Sequence, residues 1–147
     1  MQTIPKPALW LGLAGLIPFL YGAATHLAPD LAVTPLSGVA MIRLYGIVIL
    51  CFMAGVLWGF AARAPEQTWQ LYVASVVPAL LAFIPAMFLP EIYQGQGGVL
   101  LLLIGFVILL GIDNWFAGRG LTPDWWMKLR MLLTAIVCLC LIVGGFA

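Results

Sequence analysis

Apolar and polar positions alternate along the chain on a long scale, with five extended uncharged runs separated by short polar segments. The sharpest run lies between Arg43 and Arg63, where nineteen residues, Leu44 to Ala62, carry no charge. At 1.5 Å per residue a helix of that length measures about 28 Å, close to the hydrocarbon thickness of a bilayer. The same reading predicts spans at about 8–28, 44–62, 69–89, 98–116 and 125–147. Pro29-Asp30 closes the first and Pro90-Glu91 the third, while Pro18, Pro78 and Pro85 fall inside spans and predict bends there. Between the first two runs, Pro29, Asp30, Thr34, Pro35, Ser37 and Gly38 predict a loop lying partly in the interface. Arg63 to Thr68 reads as a short turn with Thr68 as a helix cap, and Tyr93 to Gly98 as a polar, glycine-rich turn. Met131 to Ala147 supplies only seventeen uncharged residues, so the last helix is expected to start near Pro123, with Lys128 and Arg130 reaching out to the headgroups.

Composition fixes the class. The 147 residues are 65% hydrophobic and 7% charged, with a mean hydropathy of +1.16, whereas soluble domains carry about 25% charged residues. The fold expected is all-α, one polytopic membrane domain over residues 1–147 with five transmembrane helices. A net charge of +1 without any block of like charges gives no reason to expect nucleic acid, and none is expected as a partner. Cys51, Cys138 and Cys140 all lie in apolar runs and read as small buried hydrophobes; Cys138 and Cys140, two apart on a helix, diverge and cannot bond each other. The N-terminal run is long and lacks a small-residue cleavage site, so it reads as a retained first helix.

Charge distribution sets an orientation. Lys6, Arg63, Arg119, Lys128 and Arg130 fall on the N-terminal side of the predicted bundle and only Arg43 on the other, which predicts an N-terminus in the cytoplasm and a C-terminus outside. Trp10, Trp58, Trp69, Trp115, Trp125 and Trp126 cluster at the cytoplasmic helix ends, where they read as interfacial anchors. A faint internal echo links Ile17-Pro18 and Ala28-Pro29-Asp30 to Val77-Pro78 and Leu89-Pro90-Glu91.

Residues able to carry chemistry are few. No phosphate loop, zinc motif or nucleophile elbow is present, and no metal or cofactor is expected. Ser75, Tyr21 and Thr134 are the polar groups at mid-depth, which disfavours a coupled transporter. His26 reads as a structural interfacial histidine, with pairing to Asp30 or ligand binding as its functional reading. Asp113, in the last turns of the fourth run, opposes the helix dipole and needs a cation; Arg130 is the first choice and Arg119 the second. The pair reads as a clamp between two helices, or as part of a polar rim of Asp113, Asn114, Arg119 and Arg130 at the mouth of a lipid or quinone site. Cys51, Gly55 and Gly59 recur every fourth residue and include a GxxxG, a face suited to close helix packing.

Several stretches, in order, resemble the DUF3429 family, which includes mitochondrial TMEM69-like proteins: Trp10-Leu11-Gly12-Leu13-Ala14-Gly15-Leu16-Ile17-Pro18, Tyr45 to Gly59, Val76 to Ala82, Asp113, Leu121 to Trp126, and Leu129 to Thr134. In that pattern the second helix reads Gly-Gly-Val-His-Trp-Gly, and here Ala54 and Leu57 stand at its first Gly and its His. The resemblance implies a five-helix inner-membrane protein of bacterial or mitochondrial type, and a bacterial inner membrane is the expected location. The function expected is a non-enzymatic accessory or assembly subunit, with membrane lipids and other integral membrane proteins, or a second copy of itself, as partners. The competing expectation is a lipid- or quinone-binding protein, even an enzyme on a membrane-embedded substrate, working at the polar rim.

Overall fold

Pro18 divides the first span in two. In the computed structural model, which describes residues 3–94 and 96–146, α1 runs Lys6–Ala14 and α2 Ile17–Leu27. The break falls at Gly15 and Leu16 because the proline has no N–H for the Ala14 carbonyl four residues back, and its ring would collide with that carbonyl in an unbroken helix. Leu16 instead donates its N–H to the Leu13 carbonyl at 3.0 Å. Together α1 and α2 still make one span, Lys6–Leu27.

A single 3-10 turn, Pro29–Leu31, follows, and the Tyr21 hydroxyl accepts from the Val33 N–H at 2.8 Å, tying the connection back onto α2. The expected loop ends sooner than its composition suggests. Ser37 caps α3, its Oγ accepting from the Ala40 N–H at 3.3 Å, so α3 runs Gly38–Ala62 over 25 residues. Arg43, expected at the helix boundary, therefore lies within α3 and donates through Nη1 to the Tyr93 carbonyl at 3.3 Å.

Helix α4, Trp69–Phe88, continues through both Pro78 and Pro85, unlike the span at Pro18. Thr68 occupies its N-cap position without a side-chain cap bond, contrary to expectation. The expected glycine-rich turn is largely helical: α5 spans Pro90–Gln94 and α6 Gln96–Gly118, with Gly95 outside the described residues. Gly98 allows this tight corner, because a Cβ there would overlap the Tyr93 carbonyl. Last comes α7, Trp126–Phe146. Five spans are long and apolar enough to cross a membrane, and no strand occurs among the described residues.

α3 packs between α2 and α4; α6 lies against α3, α4 and α7; α7 closes the bundle against α2. Phe19, Ile42, Leu57, Leu109, Phe116 and Leu141 are fully buried where these helices meet. α2 and α3 cross closely at Gly22 and Gly38, where a Cβ on Gly38 would strike the Gly22 carbonyl. The packing face expected at Cys51, Gly55 and Gly59 is not used inside the bundle. α3 buries Ile42, Gly46, Leu50, Ala54, Leu57 and Ala61, which leaves Cys51 exposed and nothing within 4 Å of a Cβ built on Gly55 or Gly59.

Candidate functional site

On α6 the buried residues Val99, Leu102, Phe106, Leu109, Asp113 and Phe116 follow one another at spacings of three and four, the period of a helix face turned to a partner. That register carries Asp113 into the core with the leucines; it is fully buried. On α7, Trp126, Arg130 and Thr134 recur every fourth residue and so share the face that meets it. Arg130 Nε donates to Asp113 Oδ2 at 2.6 Å, and Trp126 Nε1 donates to Oδ1 at 2.7 Å. Phe60 holds the Trp126 ring edge-on, with centroids 5.1 Å apart and planes at 90°. Both carboxylate oxygens are thus occupied by donors from one helix, and the charge is cancelled where it is made.

Two expectations change here. Arg130 is 3% exposed; paired with Asp113 it does not reach outward as expected, whereas Lys128 is exposed. Trp126 is a buried hydrogen-bond donor rather than an interfacial anchor. The four residues grouped as a polar rim separate: Asp113 and Arg130 pair inside, Asn114 is exposed, and Arg119 is exposed with its guanidinium 4.0 Å above the Trp115 ring. No hydrogen bond or ion pair joins His26 to Asp30 among the described residues.

Behind the pair, between α1, α2, α3 and α7, lies a cavity of about 460 Å³. Its walls are mostly apolar; α3 contributes the Tyr45 phenol, and α7 presents Arg130 and Thr134, whose Nη2 and Oγ1 atoms are buried without a hydrogen-bond partner. Sequence reasoning missed this cavity, and the roles of Trp126 and Thr134 with it; the recurrence of Trp126, Arg130 and Thr134 every fourth residue was the available signal. Among the described residues no three His, Cys, Asp or Glu side chains gather as a metal site. Outside the spans, the Tyr93 hydroxyl is also buried without a partner, and burial pushes its phenol above its ordinary value, outweighing the nearby Arg43.

The profile of the family described as "Protein of unknown function (DUF3429)" matches residues 4–146. Transmembrane protein 69 of Xenopus tropicalis is 35% identical over 152 residues, an alignment covering 97% of this chain and 54% of that protein. Transmembrane protein 69 of Mus musculus is 28% identical over 147 residues, covering 95% and 55% respectively. The chain therefore spans about half the length of the curated relatives it matches. No solved structure matches it.

Proposed function

Because the chain belongs to the DUF3429 family and is an integral, multi-pass membrane protein, we propose that it acts within the bilayer as a non-enzymatic accessory or assembly subunit. In this reading the Cys51, Gly55 and Gly59 face of α3 packs against a helix of a larger membrane complex. The observation that supports it is the contrast among the glycines. Gly22, Gly38, Gly105, Gly144 and Gly145 each face a neighbouring helix within the bundle, whereas Gly55 and Gly59 face nothing; Gly111 of α6 also faces nothing, but Val107 and Trp115 flank it one turn away, so it makes no trough. Glycine in a helix interior costs about 1 kcal/mol relative to alanine, and a lipid-facing surface gains nothing in return; a second helix approaching backbone to backbone does. Exposed Phe52 and Trp58 border the trough and offer contact area on its flanks.

The same proposal keeps the N-terminus on the cytoplasmic side of a bacterial inner membrane. With Arg130 neutralised by Asp113, exposed Lys6, Arg63, Arg119 and Lys128 still stand against Arg43 alone. The rival reading of the rim as a ligand site is served less well, since Asp113 has both oxygens engaged by its own chain. Purification of the full chain in native nanodiscs tests the proposal: a companion membrane protein or second copy should accompany the parent chain and be lost in Gly55→Leu/Gly59→Leu, with the melting temperature of the chain itself unchanged or raised. Retention of the companion in the variant, or a parent chain that always emerges alone, would refute it.

A further inference from the structure

The break at Gly15 and Leu16 has a second consequence. Below it α1 rests on α7, while α2 packs on both α3 and α7, so a wedge opens between α1 and α3 with α7 as its back wall. Leu11 and Phe52, both strongly exposed, stand at its lipid side. Phe19, Met53, Leu133 and Val137 make the interior apolar, and Gly12 and Gly15 keep the α1 side free of bulk. At about 460 Å³ it falls within the roughly 300–1,000 Å³ range of small-molecule sites.

Besides the Tyr45 phenol on the α3 wall, its polar features come from two side chains one turn apart on α7. Arg130 is 3% and Thr134 4% exposed, and Nη2 of the first and Oγ1 of the second lack partners. A buried guanidinium N–H without an acceptor is costly in a medium of low dielectric, so the position favours an occupant that supplies one. The charge of that occupant follows from Asp113, which already neutralises Arg130. A carboxylate or phosphate would set two anions against one cation inside hydrocarbon. A carbonyl oxygen accepts the same hydrogen bonds and brings no net charge.

We infer that this cavity binds one uncharged amphiphile through a carbonyl oxygen held by Arg130 Nη2 and Thr134 Oγ1, its apolar tail leaving past Leu11 and Phe52. Two sources carry that chemistry, a quinone and a neutral acylglycerol. The inference does not rest on the α3 docking face, with which it shares only Phe52.

The test is native mass spectrometry of the detergent-solubilised full chain, titrated separately with decylubiquinone, dioleoylglycerol and oleate. One saturable adduct with decylubiquinone identifies the quinone, and one with dioleoylglycerol the acylglycerol; oleate should bind at least about tenfold more weakly, since a second buried anion is penalised. Thr134→Val, which removes one hydrogen bond at nearly constant shape, should weaken the neutral probe by about three- to tenfold. Met53→Trp, which fills the cavity from the α3 wall, should abolish binding; Val56→Trp on the same wall replaces it if that variant does not fold. Failure of both neutral probes to bind, oleate binding as tightly as either, or unchanged binding in Thr134→Val or in the filled variant would each overturn the assignment.

Discussion

Arg130 Nε stands 2.6 Å from Asp113 Oδ2 inside the seam between α6 and α7, neither side chain more than a few per cent exposed. The carboxylate sits in the last turns of α6, where the helix dipole is unfavourable to it, and the guanidinium in the first turns of α7. Each makes the other's position tenable, and the pair joins the two helices at the end where their connecting turn is short.

Asp113→Asn should destabilise the bundle by about 3–5 kcal/mol, because it leaves the buried Arg130 cation uncompensated. Asp113→Leu combined with Arg130→Met should recover most of that loss. Reversible unfolding in mixed micelles, run as a double-mutant cycle, measures both.

Trp126→Phe removes a hydrogen bond to a charged acceptor while keeping a ring against Phe60. The expected cost is about 1.5–3 kcal/mol, the range for hydrogen bonds to charged groups. Trp10→Phe, at an exposed ring, should change the same unfolding curve by less than about 0.5 kcal/mol.

Gly38→Ala and Gly55→Ala should differ in sign. A Cβ at Gly38 meets the Gly22 carbonyl and the His26 backbone nitrogen, atoms that cannot turn aside, so α2 and α3 must separate. A Cβ at Gly55 meets nothing, and the better helix propensity of alanine should stabilise the isolated chain by up to about 1 kcal/mol. Thermal unfolding of the two variants in detergent decides this.

Stability should fall at high pH in a way that depends on Tyr93. Burial raises its folded-state pKa above the unfolded value of 10.0, so above pH 10 the folded chain holds a proton that the unfolded chain releases. The contribution is fully present below 10.0 and is lost as pH rises through the folded-state value. Tyr93→Phe should flatten the alkaline limb of the stability profile relative to the parent chain and leave the neutral region unchanged or slightly raised, since the hydroxyl has no partner to lose.

Much of this architecture is legible in the residues. Uncharged runs mark the spans because lipid admits little else, and α4 and α7 fall within a residue of the expected 69–89 and 125–147. Asp113 with Arg130 is legible because a carboxylate in an apolar run demands a cation. The start of α3 was hidden because Ser37 caps a helix from within a stretch rich in turn formers. Trp126 was hidden because a tryptophan at a helix end suits an interface as well as a buried carboxylate. Pro18 and Pro78 look alike in sequence, yet one divides its span and the other is absorbed; the wedge that follows from the first is a property of packing, which no local pattern encodes.

The claim that the glycine face of α3 is a docking surface is tested most directly by photo-crosslinking in native membranes. A benzoylphenylalanine introduced at Trp58, an exposed ring beside the glycine face, should yield a discrete protein–protein adduct, while the same probe at exposed Val107 of α6 should label lipid. Lipid adducts alone at Trp58, indistinguishable from those at Val107, would contradict it.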